Sequence, residues 1–166
     1  SEYHKEISDL QKREMLRHMH DICSVNRPLV GMLPRQFSNV QPFGIKENGR
    51  LAAVYCIHVP TFREKGYGFL TMDAPFMEDY ALVLKIMYDG YPTALITDYV
   101  YDEKTNAEGG CSDVRTADLH TESAKALCRM FPEVVKPYWK TNGAWKEKRL
   151  NVRVQWSKAL GKGKEK

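Results

Sequence analysis

The segment Pro60-Thr61-Phe62-Arg63-Glu64-Lys65-Gly66-Tyr67-Gly68 follows an apolar, β-rich run over residues 51–59 and contains the spacing Arg-x-x-Gly-x-Gly. Glycines at these two positions would let successive backbone N–H groups converge without obstruction by side chains. A helix that begins directly afterwards would add the positive end of its dipole. The pattern predicts a turn between a strand and a helix that can hold a pyrophosphate. It is also compatible with a plain turn into a third strand over residues 66–72.

The elements before this segment are predicted to be a helix and a hairpin. Residues 3–23 carry apolar side chains at helical spacing, with charges between them. Phe43 and Ile45 then lead through Asn48-Gly49 into the apolar run over residues 51–59. Asn-Gly between two such runs is a strong short-range signal for an antiparallel hairpin.

The second half of the chain alternates between helical and strand-like periodicity. We predict a helix over residues 75–89, a strand over 94–101, a polar loop over 105–118, a helix over 121–138 divided by Pro132, and a strand over 150–156. A strand–helix–strand order implies a partly parallel sheet. The predicted fold class is α+β, with one domain over residues 1–157 and a basic C-terminal tail over residues 158–166.

In its glycine segment the sequence resembles the GNAT superfamily of acyl-coenzyme A-dependent N-acyltransferases. That family's Arg/Gln-x-x-Gly-x-Gly/Ala signature follows a strand that ends in a proline and an aromatic residue. The matching positions are Pro60, Phe62, Arg63, Lys65, Gly66 and Gly68. Residues 43–51 and 138–145 are also similar to elements of that family. The resemblance, over about residues 3 to 157, implies a GNAT-like mixed central sheet flanked by helices and acetyl-coenzyme A as acyl donor.

The resemblance also implies roles for individual residues in the transfer of an acyl group to an amine. The acyl-coenzyme A site would comprise Val59, Arg63, Glu64, Lys65, Gly66, Tyr67 and Gly68. By their positions, His58 is a candidate base and Tyr138 a candidate acid, because one group must accept the proton of the amine and another must protonate the leaving thiolate. His58 on an apolar strand also fits a hydrogen-bonded structural role. A protein that keeps this fold but has lost its cofactor is a further alternative.

The same segment supports a second interpretation in which the protein binds nucleic acid without catalysis. Lys65-Gly66-Tyr67-Gly68-Phe69-Leu70-Thr71-Met72 is similar to the RNP1 octamer of RNA-recognition motifs. In that α/β sandwich, Tyr67 and Phe69 would present their rings on one sheet face for base stacking. Pro75 would then occupy the first turn of the following helix.

Positive charge is concentrated at the C-terminal end of the chain. Residues 136–166 carry ten Lys or Arg side chains and two Glu, a net charge of +8, although the whole chain carries only +4. A basic end could hold the phosphates of a nucleic acid, or it could simply be solvated. Together with the glycine segment it also allows a transferase that acts on a nucleic-acid substrate.

The remaining features favour a cytoplasmic protein without a membrane segment or a metal site. No apolar run approaches the ~20 residues of a membrane helix, and the N-terminal residues do not resemble an export signal. The four cysteines are scattered singly, so we expect reduced thiols. His18 and His20 would lie about 200° apart around a helix, so we do not expect them to bind a metal together with Cys23.

Overall fold

The structure, a computed structural model, describes residues 6–36, 43–69, 73–102, 116–141 and 147–164. These ranges form an α+β fold, as the sequence predicted. The helices are α1 (Asp9–Ile22), α2 (Val59–Lys65), α3 (Glu78–Tyr88) and α4 (Ala117–Met130). The strands are β1 (Leu29–Pro34), β2 (Ile45–Glu47), β3 (Tyr55–Ile57), β4 (Ala94–Tyr101), β5 (Val135–Lys140) and β6 (Arg149–Val154). Two 3₁₀ turns, Trp156–Lys158 and Lys162–Lys164, follow β6.

A four-stranded sheet with the order β2-β4-β1-β3 forms the centre of the fold. All six residues of β1 are buried. This strand pairs in parallel with β4 and antiparallel with β3, while β2 pairs antiparallel with the outer side of β4. The prediction of a partly parallel sheet is therefore confirmed.

The central sheet is covered on both faces because successive side chains of a strand point to opposite sides. Leu29, Leu33 and Leu95 belong to the larger apolar core, which includes buried side chains of α3 and α4. Val30 and Ile96 belong to a smaller core on the other face, with Met19 of α1. Such burial on both sides is typical of strands in a parallel pair.

A second sheet consists of the antiparallel pair β5 and β6. Leu150 and Val152 of β6 are buried in the larger core together with Leu127 of α4. The Leu150 N–H group also donates to Thr121 Oγ1 of α4 at 3.0 Å. The β5–β6 pair is thus held against α4, on the side of the core that lies away from α1.

The predicted hairpin at Asn48-Gly49 is wrong. β2 and β3 lie at opposite edges of the central sheet and do not pair with each other. Asn48 (φ 53°) binds the residue before β4 instead, since its N–H donates to the Thr93 carbonyl at 3.0 Å and its Oδ1 accepts from the Thr93 N–H at 3.3 Å. The chain then crosses the sheet before β3 begins at Tyr55.

Two further boundaries differ from the sequence prediction. β1 was not predicted, because Pro28 and Pro34 frame a run too short to show a period. Residues 135–140 form strand β5 and not the second part of a helix. α4 ends at Met130, with Phe131 as its C-cap before Pro132. The strand over residues 94–101 is confirmed, as are helices at 3–23 and 75–89 with shorter bounds; most of the predicted loop over 105–118 lies outside the described residues.

Gly31 lets the segment before β3 cross closely over the centre of β1. A Cβ atom at this position would lie 2.7 Å from Leu51 Cδ2 and 3.2 Å from the Val54 carbonyl oxygen. Leu51 is fully buried and has no free space into which it could move. The absence of a side chain at residue 31 therefore fixes the path of residues 51–54.

We expect Gly31→Ala to lower the free energy of unfolding by about 1–3 kcal/mol, because the added methyl group overpacks the site. Gly49→Ala is the control, since a Cβ atom there would meet only the Lys46 side chain, at 3.6 Å. Its effect should lie between no change and a gain of about 1 kcal/mol. Chemical denaturation of both variants measures the difference, and equal effects would contradict this packing.

Candidate functional site

A cavity of about 610 Å³ opens on the sheet face that carries Leu33 and Leu95. Two stretches of chain supply most of its lining, residues 46–50 after β2 and residues 154–158 at the end of β6. The volume lies within the range of roughly 300–1,000 Å³ that is usual for small-molecule sites. None of the site residues predicted from the sequence lines this cavity.

The lining of the cavity carries an excess of positive charge. Lys46, Arg50 and Lys158 contribute three cations, and Glu47 contributes one carboxylate. The Glu47 carboxylate is bound by the guanidinium group of Arg27, which comes from the segment before β1. Arg50 lies 3.7 Å from a carboxylate oxygen of Asp79. The arrangement suits an anionic ligand better than a cationic one.

Trp156 provides an aromatic wall. Its ring stacks on that of Tyr80 with a centroid distance of 5.7 Å and an interplanar angle of 29°. The Arg50 guanidinium carbon lies 4.6 Å from the centroid of the same tyrosine ring. Burial raises the pKa of Tyr80; Arg50 lowers it, while Asp79 and Tyr138 raise it further. Tyr80 therefore stays a neutral support for the wall.

A strained turn borders the cavity at Ala52. Ala53 has a φ of 62°, an unusual value for a residue other than glycine, and the Val54 N–H donates to the Ala52 carbonyl at 2.8 Å. The Tyr101 hydroxyl donates to the same carbonyl at 2.8 Å. Backbone in this conformation costs of order 1–3 kcal/mol and is found most often at functional sites. The strain is a second observation that marks this region.

The predicted pyrophosphate turn has a different local structure. Val59–Lys65 form helix α2, and Gly66 (φ 67°) is its left-handed C-cap. The Gly66 N–H donates to the Arg63 carbonyl at 3.4 Å, and the Tyr67 N–H donates to the Phe62 carbonyl at 2.9 Å. These amides close the end of the helix. The prediction that they converge on an anion in a turn between a strand and a helix is therefore corrected.

Tyr67 and Phe69 do not lie on a strand, so the RNP1-like arrangement is also corrected. Tyr67 is only 8% exposed, and its ring meets Phe62 edge-on at a centroid distance of 5.5 Å. Its hydroxyl donates to Asp89 Oδ2 at 2.6 Å. Phe69 packs against Tyr55, with ring centroids 5.2 Å apart. Both rings are part of the packing and are not offered to a base.

The structure separates the two predicted catalytic residues. His58 is the N-cap of α2, where its Nδ1 lies 2.8 Å from Thr61 Oγ1 and accepts from the Thr61 N–H at 3.4 Å. Tyr138 lies on β5, in the other sheet, and is 39% exposed. No hydrogen bond joins them in the described part of the chain. His58 thus has the structural role that the sequence left open as an alternative.

One residue of the glycine segment reaches a second, smaller cavity of about 310 Å³. Lys65 lines it together with Tyr88, Asp89, Tyr91 and Gly163. The Asp89 carboxylate is already bound by Lys85 Nζ, at 2.7 and 2.8 Å, and by the Tyr67 hydroxyl. The polar groups of this cavity are mostly engaged with one another, so the larger cavity is the better candidate site.

Other kinds of site were sought in the same residues. Within the five described ranges, no group of three or more His, Cys, Asp or Glu side chains could hold a metal ion. None of the described helices is long and apolar enough to cross a membrane. Cys23, Cys56 and Cys128 are free thiols, and burial, together with the neighbouring Cys56, raises the pKa of Cys23 to about 12.

Comparison with known proteins gives two curated relatives. The Beta-glucosyl-HMC-alpha-glucosyl-transferase of Enterobacteria phage T2 is 32% identical over 101 residues, which are 60% of this chain and 34% of the relative. The protein of the same name from Enterobacteria phage T6 is 33% identical over 101 residues, with the same coverage. The chain thus spans about a third of the length of the curated relatives it matches. No protein-family model matches the sequence, and no solved structure matches the chain.

The bond from Tyr67 to Asp89 predicts a pH-dependent stability. Burial, followed by the hydrogen bond to Asp89 and its charge, raises the pKa of Tyr67. The stabilisation is therefore present below the ordinary tyrosine pKa of about 10 and is lost as the pH rises above it. We expect Tyr67→Phe to cost about 1.5–3 kcal/mol at neutral pH and to flatten this alkaline loss.

Thermal unfolding between pH 7 and 11 measures both effects. Tyr138→Phe is the matched control, because it removes an exposed hydroxyl group for which the structure shows no hydrogen bond. It should leave the stability unchanged over the same pH range. An equal loss in both variants, or an unaltered alkaline slope in Tyr67→Phe, would contradict the assignment.

Proposed function

We propose that this chain is part of a glucosyl-transferring enzyme and that the larger cavity binds a phosphate-bearing sugar. The observation that carries the proposal is the composition of the cavity, in which Trp156 stands among Lys46, Arg50 and Lys158. The similarity to two glucosyl-transferases supports it independently of the geometry.

The chemistry of glucosyl transfer accounts for this combination of groups. The bond from the sugar's anomeric carbon to its leaving group breaks as a bond to the acceptor oxygen forms, and the acceptor loses a proton. A phosphate leaving group gains negative charge in this step, and nearby cations stabilise it. The ring of Trp156 offers an apolar surface to one face of a sugar, while Gln155 and Ser157 offer hydrogen-bonding groups to its hydroxyls.

We assign ligand binding to the cavity and leave the proton transfer unassigned. Glu47 is the one carboxylate among its lining residues, and Arg27 binds it. A relative is about three times as long as this chain's matching part, so the remaining groups for the reaction can come from residues beyond this sequence. The proposal for this chain is therefore a sugar phosphate subsite of a larger transferase.

The acyltransferase interpretation stays a prediction from the GNAT resemblance, and a thermal shift can test it. Acetyl-coenzyme A at ~100 times its dissociation constant would raise the stability by about 2.7 kcal/mol. Gly68→Val should abolish this shift without unfolding the protein if the glycine segment holds the phosphates. The absence of a shift at millimolar ligand would remove this interpretation.

For the sugar phosphate proposal, we expect the wild type to bind UDP-glucose or glucose 1-phosphate, measured by calorimetry. Trp156→Ala should remove the aromatic wall, and Lys158→Gln should weaken binding about 10- to 100-fold by loss of a charge-assisted contact. Trp139→Ala and Lys12→Gln are matched controls, because neither residue lines the cavity. Binding that is lost equally in all four variants, or is absent in the wild type, would overturn the proposal.

A further inference from the structure

One face of the β5–β6 sheet has a basic and aromatic composition that the proposed sugar site does not use. Residues that pair across two strands project on the same side. The pairs Lys136–Arg153, Tyr138–Asn151 and Lys140–Arg149 therefore share one face, which we call the outer face. Four of its six side chains are cationic and one is aromatic.

The opposite face of the same two strands is packed against the protein. It carries Val135, Leu150 and Val152, which are buried in the larger core with α4. The outer face consequently points away from α4. Tyr138 and three consecutive neighbours on β5 are exposed, which leaves this strand open to a partner.

Several cations of the outer face lack an acidic partner. In the described part of the chain, Lys136, Lys140 and Arg153 form no ion pair with a carboxylate. Lys136 Nζ donates to the Pro132 carbonyl at 2.8 Å and retains two further N–H groups. The Arg153 guanidinium carbon lies 5.8 Å from the Tyr138 ring centroid. The positive charge is thus available to an anionic ligand beside an exposed ring.

We propose that the outer face binds single-stranded nucleic acid. A base stacks on Tyr138, and Lys136, Lys140 and Arg153 contact phosphates on either side. Lys136 and Lys140, four residues apart on one strand, stand ~13 Å apart, so they reach separate phosphates along an extended strand. Aromatic rings set among cations are the usual means by which proteins hold single strands without reading their sequence.

The outer face also leads towards the cavity. Arg153 is followed directly by Val154, Gln155 and Trp156, all of which line it. Tyr138 is near enough to Tyr80, the support of Trp156, to contribute to its raised pKa. A strand bound on the outer face would therefore end close to the cavity. Binding on this face does not depend on sugar binding, and each can fail without the other.

Fluorescence anisotropy of a labelled oligothymidylate, measured from low to moderate salt, tests the proposal. The triple variant Lys136→Gln/Lys140→Gln/Arg153→Gln should lower affinity and flatten the salt slope by about 2, at about 0.7 per phosphate contact. The charge-matched control is Lys12→Gln/Arg13→Gln/Arg17→Gln on α1, which should leave both unchanged. Circular dichroism confirms that each variant is folded.

The aromatic contact is tested on the two sides of the same strand. Tyr138→Ala should weaken binding about 5- to 100-fold with no change in salt slope, because a stacking contact is lost without a charge. Tyr138→Phe keeps the ring and should retain the affinity. Trp139→Ala should have little effect, although Trp139 is more exposed at 57%, because it projects from the other face.

Three results would overturn the proposal. They are no affinity of the wild type at low salt, equal losses in the outer-face and α1 triple variants, and a preference for duplex over single strand that Tyr138→Ala does not alter. A gain in binding to an acidic protein but not to the oligonucleotide would overturn it as well. Calorimetry with UDP-glucose on the same variants shows separately whether the cavity still binds sugar phosphate.

Discussion

The pairing of β1 on both of its sides is the constraint on which the rest of the structure depends. All six residues of this strand are buried, so its backbone groups must find partners within the sheet. β4 satisfies one side in parallel and β3 the other side antiparallel. Because β4 also pairs with β2, the chain must cross the sheet between β2 and β3. Gly31 leaves room for that crossing.

The candidate site follows from this crossing. The chain segment that leaves β2 for the opposite edge of the sheet forms one side of the cavity, and the segment after β6 forms the other. The crossing also contains the strained turn at Ala53, which the Tyr101 hydroxyl supports through the Ala52 carbonyl. The Tyr80 ring, on α3, supports Trp156 from below. The cavity is thus built from elements that are distant in sequence but fixed by the same sheet.

The sequence predicts those elements whose periodicity is long and regular, namely α1, α3, β4 and β6. It does not reveal strand partners. Asn48-Gly49 has the composition of a hairpin turn, yet the Asn48 amide binds Thr93 because β4 lies between β2 and β1. The glycine segment likewise shows Gly66 as a turn but not that it ends a helix. The cavity residues carry no contiguous motif, and only the aromatic and basic composition of residues 136–158 hinted at them.

Hydrogen–deuterium exchange with and without UDP-glucose tests the central claim, that the cavity between residues 46–52 and 154–158 is the ligand site. The account predicts slower exchange in those two segments, with residues 59–68 unchanged, because the amides at the end of α2 are already hydrogen bonded. Protection of residues 59–68 with none at the cavity would contradict the account and place the ligand at the glycine segment instead.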